Sequence, residues 1–147
     1  MTADIQASLA KLHSLSATLN EASDTLSAQL NSVEAALNKL NLGVPAWVEI
    51  DRRDAGDGLT RYQTLGYSKA MGNWGLVICE HIGGMEDEDD PMIFLRDAPR
   101  ETRVLAADKI GELIEKMAEN SAKTSERVTK RAAEVKEIAS TLSTWRK

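Results

Sequence analysis

Apolar side chains recur every seven residues through the first forty residues of the chain. The repeat consists of Ile5, Leu12, Leu19, Leu26, Val33 and Leu40, and it is widened by Leu9, Leu15, Leu30 and Leu37. This spacing places the side chains on one stripe of an α-helix, and such a stripe must be covered by another helix. The pattern therefore predicts a helix over residues 3–41, ended by the Gly43 and Pro45 that follow it.

A second seven-residue repeat closes the chain and predicts a helix over residues 98–146. Its apolar positions include Ile114, Val128, Val135, Leu142 and Trp145. Arg131 interrupts the later half of the repeat, and a polar residue at such a position lowers stability while it helps to select the partner helix. We expect the Asp97 carboxylate to accept hydrogen bonds from the amides of the first turn.

The segment between the two helices has the pattern of a small β-sheet. Runs rich in β-branched and aromatic residues lie at residues 47–50, 61–71, 74–82 and 92–95. Gly72 and Asn73 have the residue types of a two-residue hairpin turn, which would place Tyr67 opposite Ile78. One face of this hairpin is bulky and the other carries small residues. We expect the bulky face to point toward the core, and the alternative is that a helix packs on the small-residue face.

These elements predict an α+β fold in a single domain spanning residues 1–147. The expected architecture is a long antiparallel two-helix coiled-coil hairpin, with a three- or four-stranded antiparallel β-sheet inserted between the helices. Helix one occupies residues 1–42, the β-rich insert residues 43–97, and helix two residues 98–147. Because the stripe of helix one is wider than one partner helix covers, we expect a homodimer whose helices form a four-helix bundle.

Charge is distributed unevenly along the chain. The formal net charge is −5, but it divides into about −2 for residues 1–41, −7 for residues 42–121 and +4 for residues 122–147. The chain has one cysteine, which is compatible with a reducing compartment, and no stretch is apolar enough to suggest a leader peptide or a membrane span. We therefore expect a cytoplasmic protein that does not bind membranes.

The sequence contains none of the common catalytic or nucleotide-binding motifs, and we expect no enzymatic activity and no cofactor. Cys79 and His81 share a strand face, which suggests a nucleophile pair or half of a metal site. Residues two apart on a strand are about 6.5–7 Å apart along it, however, so we interpret both as structural. No catalytic, cofactor-binding or metal-binding residue is assigned from the sequence.

The densest run of charge lies in the insert and consists of Glu86, Asp87, Glu88, Asp89 and Asp90. Its spacing does not match a calcium-binding loop. One interpretation is a solvated loop that joins two strands, and the other is that the run, together with Trp47 and Tyr62, forms a surface for an unknown protein partner. The favoured function is a non-enzymatic interaction or adaptor protein. The alternative is a regulatory protein that binds a metal or small ligand through the insert. Nucleic-acid binding through the basic second helix is less favoured, because glutamates are interleaved with the basic residues.

Overall fold

A computed structural model describes residues 2–54, 56, 58–83 and 90–145 of the chain. Helix α1 spans Ala3–Leu40 and helix α2 spans Arg100–Thr144. Between them lie the strands β1 (Ala46–Asp54), β2 (Thr60–Ala70), β3 (Asn73–Ile82) and β4 (Met92–Phe94), followed by a 3-10 turn at Leu95–Asp97. The predicted α+β class, with a sheet between two helices, is confirmed. Asp97 does not cap α2, because it belongs to the 3-10 turn and Pro99 occupies the N-cap.

The four strands form one antiparallel sheet in the order β1-β2-β3-β4. The turn between β2 and β3 is centred on Met71 and Gly72, both with positive φ, and not on Gly72 and Asn73 as the sequence predicted. Tyr67 consequently pairs with Leu76 and not with Ile78. Because side chains alternate with a period of two, this two-residue shift leaves every side chain on the face that was predicted for it.

The bulky face of the sheet packs against both helices and forms the main core. The sheet contributes Val48, Ile50, Leu65, Leu76 and Ile78, and the helices contribute Leu30, Leu37, Ala106, Leu113 and Met117. This confirms the predicted orientation of the hairpin. Burial of these side chains is the dominant stabilising contribution, at about 25 cal/mol for each Å² of apolar surface removed from water. We call the sheet with the helical segments that cover it, residues 23–40 and 100–124, the body.

The two helices run in the same direction across the sheet. Near the start of α2, Arg103 donates a hydrogen bond to the Ser23 hydroxyl, midway along α1. Further along α2, the Asn120 side chain donates to the carbonyl oxygen of Pro45, just beyond the end of α1. The two repeats predicted an antiparallel helical hairpin, and this prediction is wrong because the helices run parallel. A heptad repeat identifies the side of a helix that needs a partner, but here the sheet is that partner.

Polar contacts fix α1 to the open edge of β3. Glu34 accepts a hydrogen bond from the backbone N–H of Leu76 at 2.8 Å and pairs with Arg96 at 3.1 Å. Nearby, the Tyr67 hydroxyl donates to Asn38 Oδ1 at 2.5 Å. Burial, and to a lesser extent the charge of Glu34, raises the pKa of the Tyr67 hydroxyl, which keeps it protonated as a donor. These contacts determine where α1 leaves the body.

Candidate functional site

The first half of α1 extends beyond the body and exposes its apolar stripe. Across residues 3–22, which we call the N-terminal arm, every side chain is exposed. The stripe that packs on the sheet through Leu30 and Leu37 continues along the arm as Ile5, Leu9, Leu12, Leu15 and Leu19. Leu12 is 62% exposed. A stripe of large apolar side chains is a feature that soluble proteins normally cover.

The second half of α2 forms a matching C-terminal arm at residues 125–145, where every side chain is also exposed. Its apolar residues are Val128, Val135, Ile138, Leu142 and Trp145, and the last of these is 74% exposed. They continue the stripe that packs in the body through Leu113 and Met117. Within the described residues, no helix combines the length and apolarity needed to cross a membrane.

The arms point in opposite directions from the body. Because the helices run parallel and α1 extends at its start while α2 extends at its end, the arms leave from opposite ends of the sheet. Each arm is about 30 Å long at 1.5 Å per helical residue. Residues 3–22 carry Asp4 and Glu21 against Lys11, a net charge of −1, whereas residues 125–145 carry four lysines and arginines against three glutamates, a net charge of +1. The arms are thus similar in length and opposite in net charge.

The residues predicted to form one continuous helical seam separate into two groups. Leu26 and Val33 are partly buried against the main core. The others are exposed, and they comprise Ile5, Leu12, Leu19, Leu40, Ile114, Val128, Val135, Leu142 and Trp145. Most of the seam is therefore exposed within one chain.

A buried polar cluster lies on the face of the sheet opposite the helices. Alternation along β2 and β3 places Thr64, Cys79 and His81 on this face, and all three side chains are buried. His81 Nε2 lies 3.0 Å from Thr64 Oγ1, and His81 Nδ1 lies 2.6 Å from Asp90 Oδ2. The ligand atoms of Cys79, His81 and Asp90 lie within 4.8 Å of one another. A thiol, an imidazole and a carboxylate therefore converge in a largely buried site.

Aromatic side chains support this cluster and are not presented to solvent. Tyr62 is buried and stacks on the His81 ring with 4.7 Å between ring centroids. The Arg52 guanidinium lies over the Tyr62 ring. Trp47 is partly buried and packs with the second apolar cluster of the sheet, its indole against the backbone of Gly66. Neither aromatic ring stands out from the surface as a contact residue would.

The acidic run falls mostly outside the described residues. This applies to Glu86, Asp87, Glu88 and Asp89, so their assignment to a partner surface stays a prediction. Asp90 is described, and its partly buried carboxylate contacts His81. Sequence alternation placed Thr64, Cys79 and His81 on one face, but it predicted neither the contact of Thr64 with His81 nor that of Asp90. The contact of Thr64 with His81 depends on the register between β2 and β3. The contact of Asp90 with His81 depends on where the chain returns toward β4.

Comparison of the chain with protein-family models, with curated proteins and with solved structures gave no match. Function must therefore be argued from the residues of this chain alone. Two features lie outside what the fold itself requires: the exposed arms and the buried polar cluster.

Proposed function

We propose that this protein is a non-enzymatic interaction protein that acts as a homodimer, with the N-terminal arm of each copy paired to the C-terminal arm of the other. The observation that carries the proposal is the pair of exposed apolar stripes on arms that leave the body in opposite directions. A stripe of this kind is stable in water when a second helix covers it. The other copy of the chain supplies such a helix for both arms at once.

Two-fold symmetry supports this pairing. A two-fold rotation axis perpendicular to the helices reverses the direction of the helices in the second copy. Its C-terminal arm then points the same way as the N-terminal arm of the first copy. The paired helices then run antiparallel, and an equivalent pair forms at the opposite end. An axis parallel to the helices would instead pair arms of the same kind side by side and bring together arms with the same sign of net charge, so the opposite charges of the two arms favour the reciprocal pairing.

The spacing of apolar residues supports a specific register. Residues 22 and 125 are the arm positions next to the body. If residue 22 of one copy lies beside residue 125 of the other, residues at equal distances outward from these positions lie opposite each other. Stepping outward pairs Leu19 with Val128, Leu12 with Val135, Leu9 with Ile138, and Ile5 with Leu142. Burying the exposed part of each side chain would contribute about 1 kcal/mol. The opposite net charges of the arms add long-range attraction that salt screens.

A charge placed within the stripe tests the dimer. We expect the protein to sediment with the mass of two chains at micromolar concentration, and Leu12→Asp to produce the mass of one. A buried, unpaired carboxylate opposite Val135 would cost several kcal/mol. His13→Asp is the matched control, because it adds the same charge at the neighbouring position beside the predicted stripe, and it should leave the dimer intact. A single-chain mass for the unmodified protein would contradict the proposal.

The adaptor role assigns partner binding to the body and its acidic insert, since residues 42–121 carry most of the negative charge of the chain. Replacing Glu86–Asp89 by Gln and Asn should abolish capture of a protein partner from a lysate of the native host, measured by mass spectrometry of the bound fraction. The matched variant replaces four exposed carboxylates of α2, those of Asp108, Glu112, Glu115 and Glu119, so that both variants lose the same charge. Capture that survives the first replacement would exclude the acidic run as the partner surface.

A further inference from the structure

We propose that Cys79, His81 and Asp90 bind one zinc ion on the helix-free face of the sheet. This site goes beyond the proposed dimer, because the arms need no metal to pair. The cluster offers one sulfur, one nitrogen and one oxygen donor whose ligand atoms lie within 4.8 Å of one another. Cys79 and His81 are buried and Asp90 is partly buried, so the donors converge in an interior site and not on an open surface.

The distances fit a tetrahedral ion after a small adjustment. Bonds of 2.3 Å to sulfur and about 2.0–2.2 Å to nitrogen and oxygen place neighbouring ligand atoms about 3.3–3.6 Å apart in a tetrahedron. The present separations range from 2.6 Å between His81 and Asp90 up to at most 4.8 Å. Side-chain movements on the order of 1 Å reach the required geometry, without a change in the strands.

The surroundings of His81 prepare one ring nitrogen for a metal. Thr64 Oγ1 lies 3.0 Å from Nε2 and can accept a hydrogen bond from the Nε2–H group, which leaves Nδ1 on the side of Asp90 as the ligand atom. Histidines that bind metals commonly donate their other N–H to an oxygen in this manner. Stacking on Tyr62 holds the plane of the ring, so the orientation is fixed before the ion arrives.

The donor set selects zinc over the common oxygen-binding cations. Calcium and magnesium require six or more oxygen ligands, whereas a thiolate, an imidazole and a carboxylate are the usual ligands of zinc. Binding releases the thiol proton of Cys79 and any proton on His81 Nδ1 to the solvent, because both atoms coordinate through a lone pair. Three protein ligands leave the fourth position for water.

Cobalt titration tests the site directly, since Co²⁺ takes the place of zinc and its bond to a thiolate gives a charge-transfer absorption in the near ultraviolet. Cys79 is the only cysteine of the chain, so this absorption has a single possible source. We expect one Co²⁺ per chain with the thiolate absorption, its displacement by Zn²⁺, and a higher melting temperature with Zn²⁺. Binding without the thiolate absorption would overturn the proposal and assign the ion to carboxylates elsewhere.

Variants separate ligands from bystanders. His81→Ala and Asp90→Asn should weaken Zn²⁺ binding by more than tenfold, and Thr64→Val by about tenfold through the orientation of His81. His13→Ala is the matched control, because His13 is the other histidine of the chain and is exposed on the N-terminal arm, and it should bind zinc as the unmodified protein does. Circular dichroism of each variant checks the fold. Unchanged affinity in a folded His81→Ala protein would contradict the site.

Discussion

The body and the arms are built from the same two helices and the same type of repeat, yet their apolar residues have opposite environments. Leu113 is fully buried in the body, whereas Val135, further along the same helix, is 61% exposed. Leu37 and Leu12 show the same contrast along α1. The repeat thus identifies the side of the helix that needs a partner, while the length of the sheet decides how much of it finds one within the chain.

The difference also concerns what holds each helical segment in place. In the body, helical structure is supported by packing on the sheet and by side-chain contacts such as the bond from Arg103 to Ser23. In the arms, the contacts are local, for example the ion pair of Arg131 with Glu134 three residues away. Exposed pairs of this kind contribute less than about 1 kcal/mol. Contacts within the chain therefore contribute little to the stability of an arm.

The largest expected effect comes from comparing two side-chain truncations, one in the body and one in an arm. Leu113→Ala should lower the free energy of unfolding by about 2–5 kcal/mol at every protein concentration, because it leaves a cavity in the core. Val135→Ala should act mainly through the dimer, so its effect should decrease as the protein is diluted. Urea denaturation at several concentrations measures both. A Val135→Ala effect independent of concentration would mean that the arm packs within its own chain.

A smaller effect tests how tightly the helix-free face of the body is packed. A Cβ at Gly66 would lie 2.3 Å from the Trp47 ring, so Gly66→Ala should destabilise the protein by about 1–3 kcal/mol. Gly111 lies in α2 with no atom within 4 Å of an added Cβ, and Gly111→Ala should stabilise by about 0.5–1 kcal/mol. Thermal unfolding of both variants gives the comparison. Shifts of the same sign would contradict the packing described for Trp47.

The smallest effect concerns the attachment of α1 to the sheet. The pKa of Tyr67 is raised in the folded protein above the ordinary tyrosine value of about 10. The contribution of its protonated hydroxyl to the free energy of unfolding is therefore fully present below pH 10 and is lost as the pH rises through the folded-state pKa. Tyr67→Phe should remove this alkaline component and cost about 1 kcal/mol near neutral pH through the lost bond to Asn38. Urea denaturation between pH 8 and about 11 measures it. An alkaline loss that persists in Tyr67→Phe would arise from other groups.

The local patterns in the sequence predicted local structure well. Alternation along residues 60–82 assigned Leu65 and Ile78 to the core side and Cys79 and His81 to the other face, and the structure agrees. The heptads located both helices to within a few residues. Their relative direction was not predictable, because Leu30 and Leu113 pack on strands distant in sequence. Likewise, the contact of His81 with Asp90 depends on where the chain returns after β3, which alternation does not encode.

Cross-linking of two single-substituted chains tests the reciprocal pairing of the arms most directly. Leu12→Cys and Val135→Cys proteins, mixed under mild oxidation, should form a disulfide-linked heterodimer that neither forms alone, because the register places these positions opposite each other. His13→Cys mixed with Val135→Cys is the control, and it should give at least about tenfold less product, since residue 13 lies outside the predicted seam. Equal yields in the two mixtures, or linkage mainly within each variant alone, would contradict the pairing.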